Sequence, residues 1–289
     1  MDTRTPPHAV VVGVDGSLPS ELALRWAAAR ADDTGSPLLV VHAAGDMPIA
    51  SEIANREELR RLALTSGRKL AGHAADLARA VAPDITIEVQ THLGDPRELL
   101  LQLSEEAALL VVGTRGRGTV RSLLLGSVST ALVCHAQCPV VVVRDEKPEE
   151  EHRRPVIAGV DGGPSTGAVL GLAFDLAESQ GRALEVVHCW QPQGSVRDRR
   201  GHAAWLRELS EQERSLDEVM AQHAARHPDV HVRREVVDEA PVSTLVDRSA
   251  EAGLLVVGSR GLSWARSVIG SVSRAVVERA LCTVVVVRQ

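Results

Sequence analysis

The chain has 289 residues, with 32 basic against 38 acidic side chains for a net charge of −6, and aromatics make up only 2% of it. That balance excludes a basic nucleic-acid arm, and one Phe, no Tyr and four Trp are too few for a base-stacking platform. No apolar run reaches membrane-spanning length and residues 1–8 lack a charged start with an apolar segment behind it, so a soluble cytoplasmic protein with four reduced cysteines is expected.

Residues 9–14 form a continuous apolar run, as in strands covered on both faces. Asp15-Gly16-Ser17 is a turn with Ser17 as N-cap, and residues 18–31 are a helix with apolar spacing at Leu22, Trp26 and Ala29. A second strand at 38–43 and a loop lead to a long helix over 52–80, which Gly67 and Gly72 weaken and Pro83 ends. Residues 85–89 alternate as a strand near the sheet edge, and Asp95-Pro96 opens a helix reaching about residue 107. The strand 109–112 runs into a glycine-rich loop, a helix to His135 and a strand at 140–144. Residues 145–155 (DEKPEEEHRRP) read as a linker, charged and without apolar periodicity. The second half predicts strands at 156–160, 184–189, 231–236, 254–257 and 284–287, with helices at 165–180, 202–226, 242–252 and up to Ala280.

The halves are a tandem duplication. LLVVGTRGRGTVRSLLLGSVS (109–129) recurs as LLVVGSRGLSWARSVIGSVS (254–273), VVVGVDGS as VIAGVDGG, LVVH as EVVH, and VVVVR twice, at offsets of 144 to 146. Two domains follow, 1–147 and 154–289, each alternating five strands with four helices, and the halves 1–147 and 148–289 each carry −3. The fold class is α/β: two open five-stranded parallel sheets flanked by helices.

In such sheets ligands sit beyond the carboxyl ends of the strands, where Asp15 and Gly113 both fall. A strand, a glycine loop and a helix start form a seat for phosphate, because the first helical amides are unpaired and the dipole is positive there. Asp15 either accepts from a ribose hydroxyl or base edge, or closes an Asx-turn. His42 and His188 at strand ends read as packing groups, and the tryptophans as core or cover. Cys134, His135 and Cys138 lack the ligands of structural zinc. GxxxxGK[ST], GxGxxG after the first strand, and GxSxG are all absent.

Gly113-x2-Gly116-x9-Gly126-Ser127, with the VGVDGS, LLVVHA and CPVVVVR segments, resembles the ATP-binding branch of the universal stress protein family over nearly the whole chain. The tandem arrangement is similar to that of actinobacterial two-domain members. The resemblance implies strand order 3-2-1-4-5 and last strands that pair across a pseudo-two-fold axis. It implies that Asp15 and the backbone near Val41 hold the adenosine and that Gly13 lets the nucleotide approach the first strand. Gly113, Gly116, Gly126, Ser127 and Val128 would hold ribose and phosphates, with Thr114, Arg115, Arg117, Gly118 and Ser129 alongside. The equivalents are Gly159, Asp161 and Val187, then Gly258, Ser259, Arg260 and Gly261, and finally Gly270, Ser271, Val272 and Ser273. One departure is that eight residues, not nine, separate Gly261 from Gly270, so a weaker second site is expected. The implied ligand is ATP, with or without Mg2+, in a stress-response regulator that dimerises as a tandem chain and acts on an unidentified protein partner. A slow ATPase or nucleotidyl-transfer enzyme and a scaffold with a vestigial site are the rivals.

Overall fold

Runs of Val and Leu without polar alternation become strands buried on both faces. The computed structural model describes residues 5–44, 56–116, 125–144, 154–189, 199–259 and 269–288. The chain divides into two compact units, Met1–Asp145 and Glu146–Gln289. The first runs β1 (Val10–Gly13), α1 (Leu18–Thr34), β2 (Leu38–Ala44), α2 (Arg56–Val81), β3 (Ile87–Leu93), α3 (Pro96–Leu103), β4 (Leu109–Gly113), α4 (Ser127–His135) and β5 (Val140–Val143). The second runs β6 (Val156–Val160), α5 (Thr166–Ser179), β7 (Leu184–Cys189), α6 (Arg199–Ala224), β8 (Val232–Val237), α7 (Pro241–Arg248), β9 (Leu254–Gly258), α8 (Ser271–Arg279) and β10 (Thr283–Val287).

Within the first unit the strand order is β3-β2-β1-β4-β5, and in the second β8-β7-β6-β9-β10, with parallel pairing throughout. Both match the 3-2-1-4-5 expectation. Helices α1 and α2 cover one face of the first sheet and α3 and α4 the other; α5 packs with α6, and α7 with α8, in the second.

Several elements differ from the sequence reading. Helix α1 buries Ala23, Leu24, Ala27, Ala28 and Ala31, whereas Leu22 and Trp26 are half-buried and Ala29 is exposed. The buried stripe is mostly alanine with Leu24, and it lies one to two residues out of phase with the expected spacing. Helix α2 continues through Gly67 and Gly72 on a similar stripe, Ala71, Ala74, Ala75 and Ala78. Strand β3 starts and ends later than expected, in register from Leu38↔Ile87 to Ala44↔Leu93. Helix α3 ends at Leu103, because Ser104 turns its hydroxyl onto the Leu101 carbonyl (2.6 Å) and accepts the Gln137 amide (3.0 Å).

Candidate functional site

β1 pairs with β2 on one side and β4 on the other, so the sheet order reverses there and the turns after β1 and β4 share one edge. In the first unit Asp15 Oδ1 accepts the Ser17 amide (3.0 Å) and hydroxyl (2.6 Å), which is an Asx-turn leading into α1. Ser17 Oγ also accepts the Ser20 amide (3.4 Å), while Ser20 Oγ donates to the Ser17 carbonyl (2.8 Å) and accepts the Asp15 amide (3.3 Å). The other carboxylate oxygen faces the glycine loop: a Cβ on Gly116 would clash with Asp15 Oδ2. The structure therefore brings Asp15 and Gly116 together.

Gly113 and Gly13 have tight neighbours within the protein. A Cβ on Gly113 would lie 2.5 Å from the Pro19 carbonyl oxygen, so this glycine lets β4 pass beneath the start of α1. The space over Gly13 is taken by Leu100 of α3, 3.0 Å from a Cβ there. Val41 lies beside Gly13, and its carbonyl accepts the Val14 amide (2.9 Å).

A clasp joins the end of β4 to α4. The Gly126 amide donates to the Thr114 carbonyl (2.7 Å), and the buried Ser129 hydroxyl donates to the Gly113 carbonyl (2.7 Å). Gly126 is extended, and no side chain caps α4, which leaves its first amides for a ligand beside exposed Ser127 and half-buried Val128. The second unit repeats the clasp: Gly270 amide to Ser259 carbonyl (2.8 Å), and Ser273 hydroxyl to Gly258 carbonyl (2.5 Å). The residue missing from the second loop therefore falls between matching anchors, and α8 starts as α4 does. Arg115 is exposed; Arg117, Gly118, Arg260 and Gly261 lie outside the described residues.

In the second unit the predicted residues Gly159, Asp161, Val187, Gly258, Gly270, Ser271, Val272 and Ser273 line one cavity of about 440 Å³. Ser259 is buried and is not among the lining residues. The sequence reading missed two walls, one from α5 (Ser165, Thr166, Val169) and one from α7 (Pro241, Leu245), and also Cys189. The signal for the α7 wall was Gly159 itself, since a Cβ there would meet Leu245 at 2.9 Å. Burial pushes the Cys189 thiol up in pKa, against a hydrogen bond with Thr244 that lowers it.

The two strand-end histidines differ. His42 Nδ1 bonds the Val14 carbonyl (2.7 Å), whereas His188, 2% exposed, has no partner for its Nδ1. Burial lowers the His188 pKa from its ordinary 6.5, with Asp161 pulling the other way. Below pH 6.5 the unfolded chain therefore binds a proton that the folded chain resists, so stability falls as pH drops from 7 toward 5. His223, also lowered by burial, adds to the slope. Urea midpoints measured between pH 7 and 5 should fall less in His188→Gln than in the parent; an unchanged slope would remove His188 from this account.

Among the described residues no helix is long and apolar enough to cross a membrane, and no three His, Cys, Asp or Glu side chains gather to hold a metal ion.

The universal stress protein family model matches residues 7–144 and again 152–288. A universal stress protein of Mycobacterium tuberculosis is 38% identical over 290 residues, covering 98% of this chain and 97% of its own. Another from the same organism is 35% identical over 298 residues, covering 100% and 99%. The crystal structure of a universal stress protein from Archaeoglobus fulgidus superposes with a TM-score of 0.72 at 20% identity, covering 98% of this chain and 99% of that one, which shows a shared fold. With one family model matching each half and full-length relatives above 30% identity, the chain belongs to the universal stress protein family as a tandem of two such domains.

Proposed function

We propose that the protein is an ATP-binding stress-response regulator of the cytoplasm that signals through nucleotide occupancy. The observation that supports this reading is the 440 Å³ cavity of the second unit, which lies in the usual size range of small-molecule sites. It combines an apolar floor (Val187, Val257, Leu245), one carboxylate (Asp161) and the uncapped start of α8. An apolar floor suits a base, the carboxylate suits a hydroxyl or amino donor, and free helical amides suit phosphate. Among the described residues Asp161 is the only carboxylate on the cavity wall, so Mg2+ would arrive on the nucleotide's phosphates, as it commonly does.

The site acts as a sensor because ATP shifts the balance between conformers or assemblies that bind it unequally. Those assemblies would include a dimer of the tandem chain and a protein partner that reads occupancy. Among the described residues around the cavity no general base is paired with a metal-holding carboxylate cluster, which favours occupancy over turnover. Steady hydrolysis should stay below about one turnover per second, the low end of ordinary enzyme rates; faster phosphate release in a coupled assay would favour the ATPase reading. The direct test is mass spectrometry of small molecules released by denaturing freshly purified protein. Adenine nucleotide in near-stoichiometric amount is expected, and its absence, with no binding heat on adding ATP, would leave the scaffold reading.

A further inference from the structure

The turn after β6 keeps the Asp-Gly start of the turn after β1 but differs at the next four residues. Gly163 stands where Ser17 does, and Thr166 where Ser20 does. In the first unit the Ser20 hydroxyl is used twice, by the Ser17 carbonyl and the Asp15 amide, and Ser17 caps α1. In the second unit Asp161 Oδ1 still accepts the Gly163 amide (2.9 Å), but no side chain caps α5. Thr166 is 5% exposed and lines the cavity, and its buried hydroxyl has no hydrogen-bond partner among the described residues. A buried hydroxyl left unpaired is costly and is ordinarily explained by a partner that arrives later. It stands in the first turn of a 14-residue helix, where the dipole favours an electron-rich oxygen.

We propose that Thr166 is a specificity-determining residue of the second site, its hydroxyl donating to an oxygen of the bound nucleotide, and that the first site has no such contact because Ser20 is already committed. Threonine in a helix readily exchanges between two χ1 rotamers, which gives the hydroxyl a route from its buried position to the ligand. The inference rests on the nucleotide reading above. The accepting oxygen belongs to either the ribose or a phosphate, and both present the same acceptor chemistry to Thr166.

The test uses the full chain with the first site disabled by Gly126→Asp, titrated calorimetrically with ATP and with adenosine. Adding Thr166→Val, which keeps the shape and removes the hydroxyl, should weaken ATP roughly tenfold. Thr166→Ser should restore it. A loss for ATP alone assigns a phosphate oxygen, and an equal loss for adenosine a ribose oxygen; both support the proposal. Unchanged ATP affinity in Thr166→Val overturns it. The thermal midpoint of ligand-free Thr166→Val should match or exceed the parent's, because an unpaired hydroxyl has been removed, whereas Ser20→Ala should lower it. A fall of several degrees in Thr166→Val would show a bond within the protein and likewise overturn the proposal. If the Gly126→Asp parent binds neither ligand, the nucleotide reading of the second site fails and the inference with it.

Discussion

Gly113→Ala should destabilise the first unit by about 3 kcal/mol, at the upper end of the penalties for overpacking. The new methyl would meet the Pro19 carbonyl oxygen at 2.5 Å and carbon at 2.6 Å, and these are backbone atoms that cannot swing aside. Either β4 or the first turn of α1 would have to move, and the Ser129 bond to the Gly113 carbonyl would be disturbed with it. Gly35→Ala is the control: its left-handed φ of 62° costs about 1 kcal/mol, but no atom lies within 4 Å of the added carbon. Urea unfolding of both full-length variants compares the two. If Gly113→Ala is no worse than Gly35→Ala, the approach of β4 to α1 is not what requires glycine, and a ligand contact becomes the better explanation.

The second large effect is on binding. Gly126→Asp and Gly270→Asp each place a carboxylate at the uncapped start of a helix where phosphate is proposed to sit, and each should weaken nucleotide binding at its own site more than about a hundredfold. A Cβ at Gly126 already meets the Thr114 carbonyl at 3.2 Å, so Gly126→Ala belongs in the comparison to separate crowding from charge. Titration calorimetry on the two Asp variants then reads each intact site alone. Since the clasps match within about 0.2 Å, the two sites should agree to within about tenfold, in contrast to the gap that loop length alone would predict. Undiminished affinity in either Asp variant would rule out that helix start as the phosphate seat.

Runs such as VVVG and LLVVG made the central parallel strands and the shared sheet edge legible, whereas the strand order came only from the resemblance to the universal stress protein family. The glycine spacing marked both clasps, and eight predicted residues of the second site line one cavity. Less legible was anything set by packing between distant segments. The face of α1 was misread because apolar residues occur on more than one side of it, and the stripe Ala23, Leu24, Ala27, Ala28 and Ala31, not Leu22, Trp26 and Ala29, meets the core. Leu245 reaches the cavity only because Gly159 leaves room for it, and a lone glycine in a strand does not say what fills the gap. The unpaired Thr166 hydroxyl was not legible either, because Gly163 offers the same backbone carbonyl that Ser17 gives Ser20, and comparing the repeats does not show that the Thr166 hydroxyl leaves it unused.

The clasp at the neck of the glycine loop also has a meaning for engineering. Eleven residues (115–125) lie between Thr114 and Gly126, and ten (260–269) between Ser259 and Gly270, yet the bonds at the two necks are alike. The start of each helix is therefore set by the bonds at the neck and not by the number of residues enclosed, since closure entropy changes only slowly with length. A residue added between Ser259 and Gly270 should accordingly leave α8 where it stands, so the enclosed length can be altered by one without redesigning the helix.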